Sequence, residues 1–69
     1  MNFNWIDGYT LRVSVSGGGV TISANREGLL SLASHLITLA GSPSKDHFHL
    51  DEYNALEDGS SELIVEKTE

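Results

Sequence analysis

The sequence predicts an α+β fold: a two-layer, β-β-α-β-β domain in which one helix lies on one face of a four-stranded, mainly antiparallel sheet. Three observations predict it. Apolar residues recur with helical spacing from Asn25 to Gly41, and four other stretches alternate or run apolar at strand length. A glycine-rich connector joins the first two of those stretches, which is a hairpin signal. One helix over one sheet face is the simplest two-layer solution for such elements. Sixty-nine residues suit a single domain spanning 1–69, near the lower limit for a core without covalent staples.

Phe3, Trp5 and Ile6 precede a turn at Asp7-Gly8 and are too apolar for a free tail, so they are expected to cover a flank of the helix or a sheet edge. From Tyr9 to Val15 the alternation is strict, with Tyr9, Leu11, Val13 and Val15 on one side and Thr10, Arg12 and Ser14 on the other, as in a half-buried antiparallel strand. Ser16-Gly17-Gly18-Gly19 turns the chain into a second strand, where Val20, Ile22 and Ala24 alternate with Thr21 and Ser23. A phosphate-binding loop would need a helix directly after the glycines and a Gly-Lys-Ser/Thr, and neither follows.

Advancing about 100° per residue places Leu29, Leu30, Leu32, Ala33, Leu36, Ile37, Leu39 and Ala40 on one arc of the helix. Ser31, Ser34, His35 and Thr38 share the other, expected to face outward. Asn25 suits the N-cap, Glu27 the positive end of the dipole, and Gly41 a left-handed C-cap ahead of Pro43. The apolar arc is wider than a surface helix needs and the polar arc carries no charge, so other segments or a second chain should wrap the helix.

After the polar connector Ser42-Pro43-Ser44-Lys45, Asp46 to Asp51 alternates, with Phe48 and Leu50 inward and His47, His49 and Asp51 outward. Glu52 to Ser60 reads as a loop or single helical turn that tucks Tyr53 and Leu56 against the helix and turns at Asp58-Gly59. Ser61 to Lys67 is the last strand. Its apolar centre Leu63-Ile64-Val65 predicts a place inside the sheet, with Ile64 under a loop or in a contact. The face away from the helix then carries Thr10, Arg12, Ser14, Thr21, Ser23, His47, His49, Glu62, Ile64 and Glu66.

The net charge of −6 belongs to one end of the chain. Residues 1–44 balance two cations against two anions, whereas residues 45–69 set Lys45 and Lys67 against eight carboxylates. An acidic surface repels phosphate backbones and favours a basic partner, which argues against nucleic-acid binding. The helix is too short and too polar on one side for a bilayer. No cysteine and no basic start followed by a long apolar run suggest a reducing compartment, so a cytoplasmic protein is expected.

No catalytic residues are assigned, and the chain is expected not to be an enzyme and to need no cofactor. No serine occupies a Gly-x-Ser-x-Gly elbow, the Ser31–His35 pair lacks an orienting acid, and Glu57-Asp58 lies in a turn without a cleft. His47 and His49 share a strand face and could take a metal ion with Asp51, Glu62 or Glu66 as third ligand. Two solvent-facing histidines above a buried Phe48 and Leu50 explain the same pattern, so no metal site is assigned.

The blocks Ile22–Ala33, His47–Glu52 and Leu56–Lys67, in this order and spacing, resemble the immunity protein 32 family over about residues 20 to 67. The resemblance implies a small bacterial protein that binds and neutralises a cognate protein toxin of a polymorphic or contact-dependent system. The acidic surface suits a basic toxin. The candidate contact residues are His47, His49, Asp51, Glu52, Glu62, Ile64 and Glu66. The alternatives are a homodimeric structural or interaction module built through the helix or a strand edge, and a small metal-binding protein.

Overall fold

The computed structural model describes residues 4–43 and 45–69, so the expectation for Phe3, and Ser44 of the connector, lie outside the described residues. The chain runs β1 (Leu11–Ser16), β2 (Gly19–Ala24), α1 (Arg26–Ala40), β3 (His47–Leu50) and β4 (Leu63–Glu66). This is the expected α+β class and element order. The strands, however, form two antiparallel pairs, β1 with β2 and β3 with β4, in place of one continuous four-stranded sheet.

The two pairs are linked by the segment that leads into β4. The Glu57 amide donates to the Leu11 carbonyl (2.9 Å) and the Ser61 amide to the Val13 carbonyl (2.8 Å), while the Val13 amide donates to Ser60 Oγ (3.2 Å). Both segments advance in the same direction, but a two-residue step along β1 meets a four-residue step opposite. That mismatch prevents a regular ladder and splits the sheet. The last strand is thus paired on one side, to β3, and only its approach lies along β1.

In the first hairpin, Leu11, Val13 and Val15 stand opposite Ala24, Ile22 and Val20. Gly17 and Gly18 both take left-handed φ values, +57° and +80°, which a two-residue turn matched to the strand twist requires and which side chains disfavour. The buried core comprises Leu11, Val13, Leu32, Leu39, Phe48, Leu50 and Leu56, with Trp5, Tyr9, Ala24, Ala55, Leu63 and Val65 packed around it.

Asn25 caps the helix as expected and also ties three segments together. Its Oδ1 accepts from the amides of Gly28 (2.8 Å) and Thr10 (2.9 Å), and its Nδ2 donates to the Gly8 carbonyl (2.9 Å). Asn25→Ala is expected to cost about 2 kcal/mol, at the upper end for a cap because strand contacts go with it. A urea midpoint equal to that of the parent would contradict this role. At the other end Gly41 is right-handed (φ −87°), against the expected left-handed cap. The carbonyls of Ile37, Thr38 and Leu39 accept from the Gly41 amide, Ser42 Oγ and the Ser42 amide, and Lys67 takes the final one, its ammonium donating to the carbonyls of Ala40 (2.8 Å) and, just beyond the helix, Ser42 (2.7 Å). A cation from beyond β4 thereby opposes the negative end of the dipole.

The rotation of α1 differs from the sequence expectation. Gly28, Ser31, Leu32, His35 and Leu39 face the core. Leu29, Leu30 and Leu36 are 43–52% exposed and Ile37 is 73% exposed. The cause is local. Gly28 lets the helix approach the Thr10 carbonyl, and the buried polar side chains find partners among their neighbours. Ser31 Oγ accepts from the Ile6 amide (3.0 Å), and His35 Nδ1 donates to the Ser31 carbonyl. The His35 ring lies 4.4 Å from that of Trp5, which stacks on Tyr9 at 4.6 Å, and meets Phe48 edge-on at 6.3 Å. An aromatic row therefore fills the space under one flank of the helix. Trp5 takes the covering role expected of the N-terminal segment, whereas Ile6 stays 44% exposed.

Candidate functional face and loop

The β3–β4 ladder sets His47 opposite Glu66 and His49 opposite Ile64, and alternation turns Phe48 and Leu50 into the core. His47, His49, Glu62, Ile64 and Glu66 consequently share one exposed face. His49 Nδ1 lies 3.4 Å from Glu62 Oε2, and the two imidazoles stand 5.0 Å apart at a steep angle. Ile64 is 52% exposed, so of the two positions expected for it, under a loop or in a contact, the loop is excluded. Towards the first hairpin, Thr10, Arg12 and Ser23 border a shallow depression with Asn25 and Glu57. There Arg12 donates to the Asp58 carbonyl (2.9 Å).

Asp51 and Glu52 lie apart from that face, in the loop after β3, where both carboxylates are engaged. Asp51 accepts from the amides of Tyr53 (2.9 Å) and Asn54 (3.1 Å), and Glu52 accepts from the Gly59 amide (2.9 Å). The Asp51 carbonyl receives the amides of Asn54, Ala55 and Leu56, and Asn54 Oδ1 accepts in return from the Asp51 amide. Such a reciprocal network fixes the conformation of the loop. Tyr9 supports it from beneath by donating its hydroxyl to the Ala55 carbonyl (2.8 Å). Burial, and then the charge of Glu57, hold that hydroxyl above its ordinary pKa.

This winding buries Leu56, as expected, but turns Tyr53 outward, 90% exposed, where the sequence reading had tucked it against the helix. Spacing alone could not separate the two residues. The available signal was the Asp51-x-x-Asn54 pair, which stops one turn from growing into a helix.

Ser31 and His35 form no nucleophile-base pair: both are buried, against the outward orientation expected for their arc, and Ser31 Oγ is bonded to a backbone amide. Among the described residues no group of three or more His, Asp or Glu side chains is placed to hold a metal ion, so neither Asp51, Glu62 nor Glu66 completes a site with His47 and His49. Among the described residues, no helix is long and apolar enough to cross a membrane.

Searches among curated proteins and among solved structures return no significant match. A family model described as Immunity protein 32 matches residues 19–68. The matched region takes in β2, α1, β3, the Tyr53 loop and β4, and leaves β1 outside. Spanning well over half of the sequence, from the second strand to the penultimate residue, that match places the chain in the immunity protein 32 family.

Proposed function

We propose that the protein is a non-enzymatic bacterial immunity protein that acts in the cytoplasm by binding a cognate toxin domain and blocking it. The toxin surface it meets is basic. The contact comprises His47, His49, Glu62, Ile64 and Glu66, with Asp51 and Glu52 in the adjoining loop. The observation that carries this reading is the convergence of five of these side chains on one exposed face, within the third of the chain that holds all the excess negative charge. Membership of the family supports a toxin as the partner. Charge opposite in sign on the two partners speeds encounter, and a half-exposed Ile64 among polar groups offers apolar contact at its centre.

The test is stopped-flow association with a cognate toxin domain, identified as one whose growth inhibition is relieved by co-expression of this chain. The double variant Glu62→Lys with Glu66→Lys should associate about tenfold more slowly and show a flatter dependence on salt. Circular dichroism checks that the variant folds. An unaltered association rate with unaltered salt dependence would remove this face from the contact.

A further inference from the structure

The exposed face of β3 and β4 sets imidazoles among carboxylates, and the two kinds of side chain answer to different ranges of pH. Carboxylates ordinarily stay charged down to about pH 5, whereas an imidazole ordinarily gains its charge between about pH 8 and pH 5. His49 Nδ1 lies 3.4 Å from Glu62 Oε2, with both side chains about half exposed, and the ladder sets His47 opposite Glu66. The two rings stand 5.0 Å apart. Each imidazole thus has a glutamate and the other imidazole for neighbours. The remaining charges nearby are committed elsewhere. Asp46 turns its carboxylate to the His47 amide, and Asp51 turns its own to the amides of Tyr53 and Asn54. Lys67 places its ammonium on the carbonyls of Ala40 and Ser42, and α1 lies beyond Phe48, where its His35 meets that ring edge-on.

We propose that protonation of His47 and His49 releases the toxin, so that the face holds its partner at neutral pH and loses it in mild acid. The inference rests on the toxin reading above and adds a regulation to it. With neutral imidazoles, Glu62 and Glu66 give the face two negative charges; with both rings protonated, two minus two leaves none. The attraction for a basic surface then vanishes. In the free protein an imidazolium sits beside a glutamate, but in the complex it also meets the basic surface as a like charge. Protons therefore favour the free chain, and by reciprocity the toxin expels them as it binds.

Titration calorimetry with the cognate toxin domain at about pH 7.5 and about pH 5.5 tests this, with circular dichroism checking that both proteins are folded. Kd should rise at least about tenfold in acid. At about pH 6.5, titrations in buffers of different ionisation enthalpy should show protons released as the complex forms. His47→Gln with His49→Gln keeps two polar side chains that do not titrate. Whatever its affinity at neutral pH, its Kd should change by less than about threefold over the same range, and its proton release should fall away. A parent Kd that is unchanged or lower in acid, or a variant as pH-sensitive as the parent, would overturn the inference and leave the toxin reading standing. No binding at neutral pH, or Glu62→Lys with Glu66→Lys binding there as the parent does, would overturn both.

Discussion

Gly28→Ala is expected to destabilise the fold by at least about 3 kcal/mol, a large share of the roughly 3–10 kcal/mol that holds a chain of this length. In an exposed helix interior the same change stabilises by about 0.8–1 kcal/mol, so the sign itself is diagnostic. The methyl group would collide with the Thr10 carbonyl oxygen and lie 3.0 Å from Ala24 Cβ. Neither obstacle is a flexible side-chain end. The first is backbone held by the hairpin, and the second ends the strand that leads into the helix. Relief requires α1 to lift, which loosens the Asn25 cap, the Ser31–Ile6 bond and the packing of Trp5 on His35 together. Urea unfolding followed by circular dichroism measures the effect. A midpoint at or above that of the parent would mean that the helix does not rest on Thr10.

Tyr53→Ala should weaken toxin binding by about 2–3 kcal/mol, a 30- to 150-fold rise in Kd, while leaving the folding midpoint within about 0.5 kcal/mol of the parent. Tyrosine concentrates binding energy because it brings a large rigid surface and a polar tip at little entropic cost. Tyr53 is 90% exposed, so its removal forfeits little packing. Its amide donates to Asp51 Oδ1, and Asn54 Oδ1 in turn accepts from the Asp51 amide, so little ordering remains to be done on binding. Glu52, Glu57 and Asp58 lie near it in sequence and would attract the basic toxin surface proposed above. Titration calorimetry with the same toxin domain decides the matter. A loss below about threefold would place the contact away from this loop.

Much of the fold was legible because local chemistry sufficed. Alternation alone specified that Phe48 and Leu50 point inward and the flanking histidines outward, since a strand offers two faces and only one meets the core. Asn25, the glycine hairpin and the Asp58-Gly59 turn were legible because each is a short-range demand on backbone geometry. The rotation of the helix was not. Its apolar arc is broad enough to permit several orientations, and the choice went to the side where Gly28 allows the closest approach and where Ile6 and the aromatic row satisfy Ser31 and His35. These partners lie 25 residues away for Ser31 and across the core for Phe48, beyond any local pattern.

The candidate site divides in the same way. That His47, His49, Glu62, Ile64 and Glu66 share a face follows from alternation in the two strands, whereas which of them stand opposite one another, His47 with Glu66 and His49 with Ile64, is set by the β3–β4 register of the folded chain. The engagement of Asp51 and Glu52 in loop bonds, and the outward turn of Tyr53, come from the reciprocal network around Asn54. By itself the amino-acid order determined the class of fold, the elements, the two faces of each hairpin and the asymmetry of charge, because these depend on residues a few positions apart. The tertiary structure decided which arc of the helix is buried, how the sheet divides and which apolar surfaces are left for partners. Those outcomes depend on competition between distant segments for the same limited core.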